Sequence, residues 1–153
     1  MDLKKYIADV PDFPIEGILF RDITPLMANG DAFKFACGEL TDFCKKLGAD
    51  VICGPESRGF IFGCPVASNL NIGFIPIRKP NKLPRMTVEA SYDLEYGSNT
   101  LCMHADAVMP GQKVVIIDDL LATGGTVKAA IELEDLKGRE KIGNYPIKTL
   151  IKY

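Results

Sequence analysis

The sequence contains no apolar run long enough to span a bilayer, and Met1 to Asp12 is charged where a secretory signal needs a hydrophobic stretch of roughly 7–15 residues. Basic charge is missing too. With 18 Lys and Arg against 20 Asp and Glu the net charge is −2, which excludes the cationic footprint of a general nucleic-acid or membrane-surface binder. Any phosphate site has to be local. The only histidine, His104, has no second His or Cys at ligand spacing, so a surface or loop role is expected of it rather than a catalytic one. The five cysteines, Cys37, Cys44, Cys53, Cys64 and Cys102, form no C-x-x-C pair, and an odd number among apolar neighbours suits buried thiols of a reducing cytosol. Neither G-x-x-x-x-G-K-[ST] nor G-x-G-x-x-G occurs, which removes the P-loop and dinucleotide-binding readings.

What is present is organised around Val114 to Thr126, V-V-I-I-D-D-L-L-A-T-G-G-T. The β-branched run Val114 to Ile117 has the pattern of a central parallel strand buried on both faces. Asp118 and Asp119 end it, at the carboxyl edge where open α/β sheets bind their ligands. Ala122-Thr123-Gly124-Gly125-Thr126 then offers small residues, hydroxyls and free backbone N–H groups leading into a helix, which is a cradle for a phosphate. A lone Gly-Gly would be an ordinary strand-to-helix turn with a capping Thr. The carboxylates just upstream change that reading, because beside a phosphate loop they need sugar hydroxyls or a metal to face. The combination points to a ribose 5-phosphate.

The rest of the chain fits one domain, residues 1–153, and 47% hydrophobic content gives it a core. A short helix is expected over residues 2–8. Phe13 to Asp22 holds apolar residues among breakers; residues alone favour an arm packed on the core over a flap that ceilings a flat ligand. Apolar positions from Asp31 to Leu47 fall at helical spacing, with Asp31 as N-cap and Gly48 at C′. Val51-Ile52-Cys53 reads as a buried strand emptying into Gly54-Pro55-Glu56-Ser57-Arg58-Gly59, and Phe60 to Leu70 as the following helix. Arg58 at its mouth is a fork suited to a diphosphate, the alternative being a surface pair with Glu56. Gly73 to Ile77 gives a third strand, ending in Arg78-Lys79, and Lys82 and Arg85 extend that basic cluster. Thr87–Glu95 and Asn99–Met103 form a hairpin by their turn residues, Glu95 lying beside the turn as an edge-strand acid. Val127 to Leu133 continues as a helix, and Ile147 to Ile151 can form a last strand. Three strands delivering polar groups at one edge predict an α/β fold with a doubly wound, mostly parallel sheet.

The signature stretch resembles the diphosphate-sugar motif of type I phosphoribosyltransferases, and nearly the whole chain is similar to the adenine-specific family among them. The motifs that carry this are Asp12-Phe13-Pro14 with Gly17 to Asp22, Ser57-Arg58-Gly59-Phe60, Ile77-Arg78-Lys79, Leu94-Glu95-Tyr96-Gly97, the signature itself, and Leu136-Lys137-Gly138-Arg139-Glu140-Lys141. The resemblance implies a cytoplasmic homodimer that converts adenine and 5-phosphoribosyl 1-diphosphate (PRPP) to AMP and diphosphate, with Mg²⁺ carried on PRPP rather than by protein ligands. It implies an N-terminal hood of about residues 1–30 ahead of a core of about residues 31–153. By the same resemblance Ala122, Thr123, Gly124, Gly125 and Thr126 hold the 5-phosphate, and Asp118 and Asp119 the ribose hydroxyls. Glu56, Ser57, Arg58, Arg78, Lys79 and Lys82 hold the diphosphate. Leu19, Phe20 and Arg21 form the adenine hood, so the family favours the flap over the packed arm, and Glu95 handles the proton at the purine.

The chain departs from that family in one place. Where the family lengthens the helix after Thr126 and adds a strand, a stretch of about twenty residues, this chain passes from Ile131-Glu132-Leu133 straight to Glu134-Asp135-Leu136. A continuous peptide is expected there, and with it a signature strand lacking its outer partner unless Ile147 to Ile151 takes the position.

Overall fold

Pro11, Pro14 and Gly17 break up the amino-terminal stretch, and in the computed structural model, which describes residues 1–93, 98–121, 124–135 and 146–152, it folds as a hairpin. After a 3-10 turn at Leu3–Tyr6, strand β1 (Ala8–Pro11) pairs antiparallel with β2 (Leu19–Asp22), setting Asp9 opposite Arg21, and these two form an ion pair. The connecting loop is closed by Asp12, whose carboxylate accepts the Gly17 N–H at 2.7 Å, and Gly17 takes φ +85°, which only glycine adopts without strain. Phe13, Ile15, Ile18 and Leu19 remain 45–66% exposed, so this segment is not the packed arm that its residues alone favour. Asp22 precedes the short helix α1 (Thr24–Ala28) and accepts from the Thr24 N–H and hydroxyl at 2.9 and 2.6 Å.

Helix α2 (Gly30–Leu47) follows. Its N-cap is Asn29, whose side-chain oxygen accepts from the Ala32 N–H at 3.0 Å, and not Asp31, which lies inside the first turn where its charge meets the helix dipole. Gly48 ends the helix at φ +65° as expected. The segment 146–152 contains no strand; Lys148 ties it to α2 through the Glu39 carboxylate at 2.9 Å and carbonyl at 3.1 Å. The chain forms two units, Met1–Phe43 with Pro146–Tyr153 and Cys44–Tyr145, the division falling within α2.

In the second unit, β3 (Val51–Pro55) has every residue buried and is the centre of a parallel sheet. It is flanked by β4 (Gly73–Ile77) in the register Pro55 opposite Ile77, and by β7 (Val114–Ile116) in the register Cys53 opposite Ile116. Helix α3 (Arg58–Leu70) connects β3 to β4, and its last residue meets Asn71 in the left-handed region. Strands β5 (Thr87–Asp93) and β6 (Ser98–His104) make the expected hairpin, and helix α4 (Gly125–Asp135) follows β7. The signature strand is therefore at an edge rather than at the centre. Val114, Val115 and Ile116 are half-buried, and among the described residues no strand pairs with their outer flank. Glu134 follows Leu133 within α4, so the peptide is continuous at the junction.

The core of this unit gathers Val51, Cys53, Ile75, Ile77, Leu101, Met103 and, from α4, Ala129, Ala130 and Leu133. Alternation on β5 is strict: Val88, Ala90 and Tyr92 pack against that core, while Ser91 on the other face bonds Thr100 across the hairpin at 2.9 Å. Cys37, Cys44, Cys53 and Cys102 are buried free thiols and Cys64 is exposed. His104 is the last residue of β6 and not a loop residue; its Nδ1 is buried and has no hydrogen-bond partner among the described residues.

Two glycines set how closely the strand ends approach. A Cβ on Gly54 would stand 2.9 Å from the Ile117 carbonyl oxygen, and one on Gly59 would stand 2.8 Å from the same oxygen and 2.7 Å from Pro55 Cδ. Backbone cannot yield there as a side chain can, so Gly59→Ala is expected to destabilise the protein by about 1–3 kcal/mol. Denaturant unfolding measures this. A midpoint equal to that of the parent would show that β3, α3 and the end of β7 can separate freely.

Candidate active site

Each parallel strand of the second unit ends in charge. Beyond β3 come Glu56, Ser57 and Arg58, with the Glu56 N–H donating to the Ile77 carbonyl at 2.8 Å and the Glu56–Ser57 peptide bond cis. Beyond β4 come Arg78 and Lys79, and beyond β7 come Asp118 and Asp119. Because Pro55 is level with Ile77, the next residues Glu56 and Arg78 meet, Arg78 Nε lying 2.6 Å from Glu56 Oε2. Arg78 also donates from Nη1 to the Lys82 carbonyl at 3.3 Å. With Glu56 so engaged, Arg58 pairs across the sheet instead, its Nε 3.0 Å from Asp119 Oδ2. The Asp119 side chain is only 5% exposed, whereas Arg58 is 43% exposed and presents the rest of its fork to the cleft.

Asp118 differs from its neighbour. Its Oδ1 accepts the Asp119 N–H at 2.9 Å, yet its pKa is pushed up to about 7. Burial is the main cause, the adjacent Asp119 charge adds to it, and the Asp119 N–H and the more distant Arg58 charge only partly offset the rise. Asp118 thus keeps its proton to a higher pH than an ordinary carboxyl does.

The third wall comes from α4. Gly124 takes φ +83° to turn the chain into the helix, and the first intrahelical bond runs from the Lys128 N–H to the Gly124 carbonyl at 2.9 Å. This leaves the N–H groups of Gly125, Thr126 and Val127 as the open donors of the first turn, at the positive end of the helix dipole. All three residues line a cleft of about 230 Å³ together with Glu56, Arg58, Lys79, Asp118 and Asp119. A cleft with a carboxylate pair on one wall and cations and helix donors on the others suits a polyol that carries anionic groups.

Ser57 and Lys82 do not line the cleft, and Arg78 reaches it only by way of Glu56. Arg85 is paired with Asp106, away from it. Leu19, Phe20 and Arg21 belong to β2 in the other unit, where Phe20 meets Phe13 edge to face with centroids 5.2 Å apart. The proton-handling candidate Glu95, the loop residues Ala122 and Thr123, and the motif Leu136 to Lys141 lie outside the described residues. Sequence reasoning missed Tyr92, which lines the cleft and whose hydroxyl lies 3.3 Å from Thr126 Oγ1. Its signal was available: it is the aromatic with a polar tip at the end of the inward-facing row on β5.

The chain matches the model of the phosphoribosyl transferase domain over residues 27–144. It is 54% identical to an adenine phosphoribosyltransferase of Lactobacillus acidophilus over 170 positions, covering 100% of this chain and 97% of that protein. Those 170 positions against 153 residues leave 17 for which this chain has no counterpart. Among solved structures, the adenine phosphoribosyltransferase of Thermoanaerobacter pseudethanolicus superposes with a TM-score of 0.86 at 47% identity, over 90% of this chain and 80% of that one. The Saccharomyces cerevisiae enzyme, complexed with an imino-altritol bisphosphate and adenine, gives 0.85 at 38% identity, over 90% of this chain and 81% of that one.

The state of Asp118 has a measurable consequence. Below pH 3.8 both folded and unfolded chains hold its proton; between 3.8 and about 7 only the folded chain does, so stability falls as pH rises through that window and is level above it. Asp118→Asn cannot ionise and keeps the acceptor for the Asp119 N–H. Its stability relative to the parent is expected to grow from pH 4 to pH 8, by on the order of 2 kcal/mol after allowance for partial exposure. A difference in unfolding free energy that stays flat with pH would contradict a raised Asp118 pKa.

Proposed function

Because the chain belongs to the adenine phosphoribosyltransferase family, we propose that its cleft joins adenine to the ribosyl carbon of PRPP, yielding AMP and diphosphate in purine salvage. One observation carries the assignment of groups: a carboxylate pair, an arginine from a neighbouring strand end and the open N-terminus of α4 line the same cleft. In this reading the 5-phosphate is taken by the loop from Ala122 to Thr126, with the Gly125, Thr126 and Val127 N–H groups as donors. Asp118 and Asp119 accept from the ribose hydroxyls. Arg58, Arg78, Lys79 and Lys82, with the backbone of Glu56 and Ser57, take the diphosphate. Leu19, Phe20 and Arg21 are assigned to adenine and Glu95 to its proton on the strength of the resemblance.

The bond dictates the work. The C1′–O bond breaks with its electron pair going to diphosphate, adenine N9 bonds to C1′, and the N9 proton passes to Glu95. Positive charge builds on the ribose ring while negative charge builds on the leaving group, so catalysis rests on positioning and on fixed charge. Arg58 and Lys79 meet the leaving group's charge, and Asp118 and Asp119 hold the sugar in line. Mg²⁺ enters this proposal as a passenger on PRPP. Asp119 is engaged by Arg58 and Asp118 is driven toward its neutral form, so these carboxyls suit hydroxyl partners better than they suit enclosing a cation. When bound, the ion supplies neutralisation of diphosphate charge.

A homodimer in the cytoplasm is part of the same proposal and rests on the resemblance alone. No helix among the described residues is long and apolar enough to cross a membrane. With PRPP and Mg²⁺ present, adenine is expected to give AMP while hypoxanthine, guanine and xanthine give no nucleotide; turnover of another base in preference to adenine would reject the base assignment. Glu95→Gln is expected to lower kcat by about 10²-fold or more and to leave the Kd for PRPP unchanged, as for a group that works on the proton in the transition state. Unaltered kcat would return Glu95 to an exposed edge-strand role.

A further inference from the structure

We infer that Tyr92 is a positioning residue for the 5-phosphate: its hydroxyl sets the direction of the Thr126 hydroxyl proton and so turns Thr126 into a donor aimed at the cleft. The inference rests on the function proposed above. Tyr92 reaches Thr126 from outside the phosphate loop, from β5, with its hydroxyl 3.3 Å from Thr126 Oγ1, and both residues line the cleft. A threonine hydroxyl has one proton and can rotate it toward any acceptor. The acceptor within reach is the Tyr92 oxygen, and either hydroxyl of the pair can donate; we take Tyr92 as the donor, since a Thr126 proton given to Tyr92 is lost to the ligand. When Tyr92 donates to Oγ1, that side of Thr126 is occupied and its own proton is left to point elsewhere. The open direction is the cleft, where the Gly125 and Val127 residues of the same helical turn stand.

The ring is held well enough to do this. Tyr92 belongs to the inward row of β5 with Val88 and Ala90 and packs against the core that α4 also enters through Ala129, Ala130 and Leu133. Hairpin and helix therefore share one packed interior, and the hydroxyl pair is fixed from both sides. A phosphate oxygen accepts a Thr126 proton in a charge-assisted hydrogen bond, stronger than the bond the same proton makes to a neutral acceptor such as a free 5-hydroxyl, so a proton already directed at the cleft favours phosphate. Tyr92 thereby contributes to the choice of a 5-phosphorylated sugar without touching it.

The test is Tyr92→Phe, which keeps the ring and removes only the hydroxyl, alongside Thr126→Val and the double variant. Tyr92→Phe is expected to raise KM for PRPP about fivefold, with KM for adenine unchanged and the thermal midpoint within a degree or two of the parent. Thr126→Val is expected to cost more, and adding Tyr92→Phe to it is expected to cost nothing further, because the hydroxyl that Tyr92 orients is already gone. Calorimetric titration of each folded variant with PRPP and with ribose 5-phosphate separates this inference from the function it rests on. A parent protein that binds neither ligand would overturn both. A parent that binds PRPP with a Tyr92→Phe variant that binds it equally well would overturn only the role of Tyr92, as would effects of the two substitutions that multiply in the double variant.

Discussion

The carbonyl oxygen of Ile117 sits where two side chains would be if Gly54 and Gly59 had them, and the rest of the site depends on that contact. The end of β7 can touch both the end of β3 and the first turn of α3 because neither glycine interposes a carbon. From that closeness follows the 3.0 Å ion pair between Arg58 and Asp119, since Arg58 is next to Gly59 and Asp119 is two residues from Ile117. The parallel register does the same on the other side, where the level pair Pro55 and Ile77 delivers Glu56 to Arg78. Side chains distant in sequence are thus brought together by backbone geometry first, and their charges then choose partners among those within reach.

The pattern of partners explains what could be read from residues and what could not. Strands β3 and β4 were legible as apolar runs bounded by Gly and Pro, and Asp118, Asp119 and Arg58 were legible as polar groups at strand ends, because the C-terminal edge of a parallel sheet collects whatever follows each strand. A run of β-branched residues does not say how many neighbours a strand has: Val114 to Ile117 has the pattern of a central strand, yet among the described residues β7 stands at the edge of the sheet. Capping was misread for a similar reason. Asn29 and Asp31 are both good caps, and only the position of the first helical N–H decides between them. The Ile147 to Ile151 stretch is apolar enough to form a strand, yet Lys148 finds Glu39 on α2 and the segment joins no ladder among the described residues. Tyr92 escaped notice because an aromatic in an inward row reads as core until its hydroxyl is seen to meet Thr126.

The raised pKa of Asp118 follows from its surroundings rather than from its residue type. Asp119 has a guanidinium in contact, whereas Asp118 is half-buried beside a like-charged neighbour, and the Asp119 N–H and the more distant Arg58 charge offset only part of the rise. A carboxyl kept near its neutral form can donate a hydrogen bond as well as accept one, which widens the set of hydroxyl orientations that the pair can meet.

The arginines at the strand ends are already matched with carboxylates of the same chain, Arg58 with Asp119 and Arg78 with Glu56. Such a cleft carries its own counter-ions. A polyanion that enters it trades places with fixed carboxylates instead of displacing mobile ions gathered from solution, so few salt ions are set free on binding. Affinity for a phosphorylated ligand should accordingly respond to ionic strength far less than the number of cations around the cleft suggests, in contrast to surfaces whose lysines and arginines are neutralised only by the surrounding electrolyte.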